Sequence, residues 1–241
     1  MRLIKSLSIL TAACLTISFS FAQTADEIIS KHVAAIGGAD NWKKVNSTVM
    51  SGTMTMQGAE ISLTRTVLHG KGFKNEISLM GMTGYQIVTP TEGWNFMPFN
   101  GQAAPEAMTA DDVKEGQNEL DAHGAVVDYA AKGHSIEYLG KEEVDGTDCH
   151  KIKMTYKSGK NETMFIDPTS YYVVKSTAVQ KANGQEVEVT TSFSNYEKLP
   201  EGIVIPKSIS LPLGPGMNAD FTVSKVEVNK AVDASAFAPA K

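Results

Sequence analysis

The sequence is short of residues that make a site by themselves. It has two cysteines, and Cys14 lies in an apolar leader, so a processed chain would keep Cys149 alone. No internal disulfide can form in such a chain, and the core must hold the fold together. A single cysteine is ordinarily a small buried hydrophobe. His150 beside it points to the opposite face of an extended strand, so the two do not form a nucleophile and base. Arginine is as scarce: beyond Arg2 there is only Arg65. The formal net charge is −5 and becomes more acidic once Arg2 and Lys5 are removed. The lysines are dispersed and form no basic stripe, which excludes a nucleic-acid footprint and argues against an anionic membrane surface. By overall charge, an uncharged or basic ligand fits better.

Compact catalytic signatures are missing too. There is no His-Glu-x-x-His, no Gly-x-Ser-x-Gly, no glycine-rich phosphate loop opening a helix and no cysteine pair for zinc. The five histidines, His32, His69, His123, His134 and His150, do not fall at metal-ligand spacing on one element. The expectation is a protein without metal or cofactor and not an enzyme; a catalytic set scattered in sequence remains a third reading.

Residues 1–22 read as a cleaved signal peptide: Arg2 and Lys5 precede an apolar run from Leu7 to Phe21, and Ser20-Phe21-Ala22 ends it. Export to the periplasm follows. The alternative is a lipid anchor on Cys14. No other run is long and apolar enough to span a bilayer. Residues 23–241 then suit one domain, expected as a monomer.

Thr24-Ala25-Asp26-Glu27 is a capping box, followed by apolar residues at helical spacing as far as Gly37-Gly38. From Ser47 the period becomes two. Met50, Met54 and Met56 share one face, and on the partner strand Leu63, Arg65 and Val67 do the same. Arg65 therefore alternates with apolar neighbours. Either its stem snorkels along the surface, or its guanidinium turns inward to bond a lid or a ligand's polar end. The methionines have two readings as well, gap filling in a core or an adaptable binding surface.

The densest aromatic run is residues 84–99, a hairpin in which Pro90-Thr91-Glu92-Gly93 makes the turn and Trp94 and Phe96 stand on the second arm. Thr109-Ala110-Asp111-Asp112 opens a weak helix to about Leu120, with Asp111, Glu115 and Glu119 on an acidic face and Gly116 inside. Another short helix is expected over residues 125–131. Weakly held helices beside a sheet are what a movable lid needs. From Ser135 onward, strands punctuated by turns such as Asp145-Gly146 imply an antiparallel meander.

Three patches carry a resemblance. Gln86-Ile-Val-Thr-Pro-Thr-Glu-Gly-Trp-Asn-Phe-Met-Pro98 resembles the strand-turn-strand segment of the LolA/LolB-like periplasmic lipoprotein carriers. Val232-Asp-Ala-Ser-Ala-Phe237 is similar to their closing Val-Asp-x-x-x-Phe. Ile36-Gly-Gly-Ala-Asp-Asn-Trp-Lys-Lys-Val45 is similar to the corresponding stretch in outer-membrane lipoprotein-sorting proteins. The resemblance implies a mainly β fold, a half-open antiparallel barrel of about eleven strands with an N-terminal helix and a helical lid. It implies acyl chains of lipoproteins, or another lipid, as ligand. Met50, Met54, Met56, Leu63, Val67, Trp94 and Phe96 would line the cavity, and Arg65 would contact the lid or a polar group. The alternative on the same fold is an envelope sensor or scaffold that docks onto another envelope protein.

Overall fold

A computed structural model describes residues 24–56, 58–182, 185–214 and 217–239. The expected signal peptide and Cys14 lie outside the described residues. The first helix, α1 (Ala25–Ala35), starts at the capping box read from sequence: Thr24 Oγ1 accepts the Glu27 amide at 3.2 Å, and Glu27 Oε2 accepts the Thr24 amide at 3.1 Å. A short turn of helix, α2 (Ala39–Trp42), folds back behind Gly37. The backbone of Gly37 has φ +107°, and a Cβ there would stand 2.2 Å from the Gly202 carbonyl oxygen, so glycine is required on two counts.

Thirteen strands then form one sheet, two more than the eleven expected. In chain order they are β1 (Ser47–Met56), β2 (Ala59–Leu68), β3 (Gly72–Leu79), β4 (Met82–Val88), β5 (Gly93–Phe96) and the two-residue β6 (Glu106–Ala107). After the helix α3 (Ala110–Gly116) come β7 (Ser135–Val144), β8 (Thr147–Thr155), β9 (Asn161–Ile166), β10 (Val173–Ala182), β11 (Gln185–Lys198), β12 (Val204–Gly214) and β13 (Met217–Val228). The order across the sheet is β6-β5-β4-β3-β2-β1-β13-β12-β11-β10-β9-β8-β7. Two antiparallel meanders therefore meet at the β1–β13 pair, and β6 and β7 are the free edges. The sheet does not close, so it is a half-open fold.

Directly paired residues of antiparallel strands share a face, so the register sorts the side chains. Met50, Met54 and Met56 stand with Arg65, Ile61 and Ala59 of β2, and Ile61, Leu63, Arg65 and Val67 of β2 with Leu79, Ile77, Asn75 and Phe73 of β3. The helices lie on this inner face. Ile28 and Ile29 of α1 pack on Ile152, Met154, Met164 and Ile166, and the segment joining β6 to β7 packs on Val67, Phe73 and Val88.

The joining segment, residues 108–134, departs from expectation in part. Thr109 caps α3 as read, its Oγ1 accepting the Asp112 amide at 3.2 Å. The α-helix stops at Gly116 and tightens into a 3-10 turn over Gln117–Leu120. Residues 125–131 make turns instead of a second helix. Asp128 adopts a left-handed φ of +52° there, a conformation that interrupts a right-handed helix.

Candidate ligand-binding site

Besides the cluster under α1, two apolar clusters lie on the inner face. At the end of the sheet bearing the 69–71 and 89–92 turns, Val67, Phe73 and Val88 are buried under Leu120 and Ala122 of the crossover, with Val45, Ile203 and Ile205 beside them. Toward the opposite end, Met54, Ile61, Phe221 and Val223 form a second cluster, flanked by half-buried Met50, Met56, Leu63, Ile77, Leu79 and Ile209. The residues of this second cluster and of its half-buried flank all lie on strands. Gly52 lies beneath it, and a Cβ there would fall 2.6 Å from the Phe221 ring. The ring occupies the space that a side chain at Gly52 would need. At the rim of this end, Met80 in the β3–β4 turn is 81% exposed.

The structure thus brings Met50, Met54, Met56 and Leu63 together on one apolar surface. It places Val67 in the neighbouring core under the crossover, 3% exposed. Trp94 and Phe96 are not brought to that face. Ile87 pairs with Trp94 and Tyr85 with Phe96, and these four side chains point to the outer face. There Phe237 and Val232 of the closing segment cover them. Their aromatic surface is core between sheet and C-terminal segment. From the same stretch Asn95 points inward, paired with Gln86, and the Phe99 ring reaches over Gly84, where a Cβ would be 2.9 Å from it.

Arg65 turns inward. Its Nη2 donates to Glu119 Oε2 at 2.6 Å, and its guanidinium carbon lies 4.5 Å from the centre of the Phe73 ring. Both side chains are about one-third exposed, 35% and 37%, so the pair sits at the mouth of the face and not in its depth. Burial alone would push the Glu119 carboxyl up. The charge and hydrogen bond of Arg65, with Lys160 nearby, more than offset this and hold it below the usual carboxylate range. The acidic face expected of α3 is therefore split. Glu119, on the 3-10 turn, is an ion-pair partner, whereas Asp111 and Glu115 line a polar groove of about 680 Å³ with Lys114, Ser158 and Lys160. Sequence reasoning missed this partner because the turn from α to 3-10 geometry at Gly116 rotates Glu119 off the shared face.

Two further contacts hold the crossover down. The Gly70 amide donates to the Leu120 carbonyl at 2.8 Å, and the Ala122 amide donates to His69 Nδ1 at 3.3 Å. His69 and His123 stack at 4.0 Å between ring centres, with Asp121 Oδ1 3.5 Å from His69 Nδ1. These three residues could ligate a metal by distance alone. Lys132, however, already bonds Asp121 and the Gly124 carbonyl, so an ammonium supplies the cation. The stacked rings would also have to tilt out of parallel to aim two in-plane lone pairs at one ion.

A one-sheet, half-open β fold with helices on its inner face is a LolA-like fold. Solved structures agree. A LolA superfamily protein from Nitrosomonas europaea superimposes with a TM-score of 0.57 at 14% identity, over 90% of this chain and 98% of the other. A DUF1329 family protein from Desulfovibrio piger gives 0.57 at 13% identity over 90% and 98%. A domain from Vibrio parahaemolyticus named for outer-membrane lipoprotein sorting gives 0.52 at 14% identity over 88% and 94%. No protein-family model matches the chain, and no curated protein matches it either.

Proposed function

We propose that this protein is a periplasmic carrier that holds an apolar ligand, the acyl chains of a lipoprotein or of another lipid, against the inner face of its sheet. The observation that carries this reading is the half-buried apolar surface of Met50, Met56, Leu63, Ile77 and Leu79 around buried Met54, which ends at a crossover whose Glu119 is paired with Arg65. Covering such a surface with hydrocarbon is favourable by roughly 0.8 kcal/mol per buried methylene, so holding needs no catalytic group. The ligand enters by the end bearing Met80, away from the packed core. The likeness to a structure named for lipoprotein sorting supports the cargo class.

The test is native mass spectrometry with lipid extraction on protein purified from the periplasm, beside uptake of a fluorescent fatty acid by the emptied protein. Met56→Asp and Leu63→Asp, at half-buried positions, are expected to abolish recovery and uptake while circular dichroism stays that of the wild type. Trp94→Phe, on the outer face, is expected to retain both. Wild-type protein that comes out empty and takes up no fatty acid overturns the proposal, and so does loss of uptake in Trp94→Phe with retention in Leu63→Asp.

A further inference from the structure

The register places a row of polar side chains across the inner face. Met50 pairs with Arg65, Arg65 with Asn75, Asn75 with Gln86, Gln86 with Asn95 and Asn95 with Glu106 at the free edge. Directly paired residues share a face, so Arg65, Asn75, Gln86 and Asn95 form a rail running from mid-sheet to the open side. One side of the rail is the core under the crossover, Val67, Phe73 and Val88. The other is the half-buried apolar surface, beginning with Leu63 and Ile77. Asn75 Oδ1 is buried and has no hydrogen-bond partner. A buried amide oxygen without a partner is costly. Turned over, the same amide presents an N–H pair beside the guanidinium.

Resting on the carrier reading above, we infer that the ligand is a carboxylate-headed amphiphile, whose head takes the place of Glu119 on Arg65 while its tail runs from Leu63 and Ile77 toward Met80. Glu119 shows that the site accepts a carboxylate, at 2.6 Å. The exchange is of like for like at Arg65, so its gain comes from where each carboxylate ends up. Glu119 is over one-third exposed and returns to water at little cost, while the incoming head gains the Asn75 amide and brings its tail onto apolar surface. Arg65 and Lys160 both favour the charged form of Glu119, so a carboxylate that takes its place meets the same two cations. Head exchange also frees the crossover from its ion pair to Arg65, so loading weakens one of the contacts that hold it down.

The test compares laurate with methyl laurate, the same tail without the charge, by isothermal titration on the delipidated protein. A charge-assisted hydrogen bond supports a preference of about ten-fold for laurate. Arg65→Gln is expected to bring the ratio to within about two-fold. Glu119→Gln, which removes the competing carboxylate, is expected to raise it above the wild-type ratio. Dodecyl phosphate bound more tightly than laurate would overturn the carboxylate assignment in favour of a phosphate head. Equal binding of laurate and methyl laurate overturns the inference and leaves the carrier reading standing. Binding of neither overturns both.

Discussion

The crossover is held by a latch whose strength can be worked out and measured. Replacing Glu119 by Gln removes the ion pair to Arg65 but keeps the side chain's size. Partly exposed pairs contribute about 0.2–1 kcal/mol after screening, and at one-third exposure this pair belongs near the top of that range. The stacking of Arg65 over Phe73 at 4.5 Å adds roughly 0.5–1 kcal/mol, but it survives in Glu119→Gln and is lost only in Arg65→Met. A loss of about 1 kcal/mol raises the open population of the crossover about five-fold. The Gly70 amide reports it directly, because its acceptor is the Leu120 carbonyl on the crossover. Hydrogen exchange at Gly70 should therefore quicken about five-fold in Glu119→Gln and further in Arg65→Met, while amides of β8 and β9 stay unchanged. A double-mutant cycle should return a coupling of about 1 kcal/mol. Glu119 is held below the usual carboxylate range, so its contribution is complete above that range and is lost as pH falls through the lowered value. If exchange at Gly70 is the same in wild type, Glu119→Gln and Arg65→Met, the latch does not exist and the packing of Val113, Leu120 and Ala122 with the neutral hydrogen bonds holds the segment.

The outer face and the helix give two more tests. A Cβ on Gly72 would fall 2.3 Å from the Phe237 ring, so Gly72→Ala should cost about 1–3 kcal/mol by overpacking; in a Phe237→Ala background the added cost should nearly vanish, and an unchanged cost in urea melts would refute the contact. His32 is buried and 2.7 Å from the Tyr171 carbonyl oxygen, and burial, partly opposed by that bond, holds its pKa below 6.5. The unfolded chain therefore binds its proton first, so stability should be flat above neutrality and fall as pH drops below about 6.5, at about 1.4 kcal/mol per unit of depression. His123, His134 and His150 are lowered in the same direction by burial, so His32→Gln should flatten part of the slope; an unaltered slope would remove His32 from the account.

How far the sequence could be read depended on the range of the interaction. Thr24 with Glu27, and Thr109 with Asp112, are contacts three residues apart, and both caps stand where composition placed them. Alternation from Ser47 identified the strand and grouped Met50, Met54 and Met56 correctly, because period two is a backbone property. What alternation does not carry is which face of a strand is the inner one. On β4 and β5 both faces are apolar, and the choice is made by Phe237 and Val232, more than 130 residues away in the chain. Trp94 and Phe96 were thus legible as aromatic surface and illegible as outer core. Arg65 was legible as a cation among apolar neighbours with two readings, a snorkelling stem or an inward guanidinium, and the structure shows the second. Its partner was hidden, since Glu119 is 54 residues on and leaves the acidic stripe only because the helix changes pitch at Gly116.

The strand order also limits how the site can open. The chain leaves the first meander at β6, one free edge, and must begin the second at β7, the other. Residues 108–134 are therefore obliged to cross, and they cross over the inner face, since Val113, Leu120, Ala122 and Val127 are all buried on the way. The segment is tied at both ends: Met108 sits so close over Gly93 that a Cβ there would meet its sulfur at 2.6 Å, and Val126 and Tyr129 pack against the α1 cluster. A strap fastened twice cannot swing as a flap. Its middle can lift, and five polar contacts oppose that motion: Glu119 to Arg65, Leu120 to Gly70, Ala122 to His69, Gln117 to the Pro90 carbonyl and Asn118 to Ser158. Four of these are neutral hydrogen bonds whose groups water can satisfy once released, so they set a low barrier. The ion pair is the contact that a charged ligand can replace, and that is why opening should depend on the head of the ligand more than on the length of its tail.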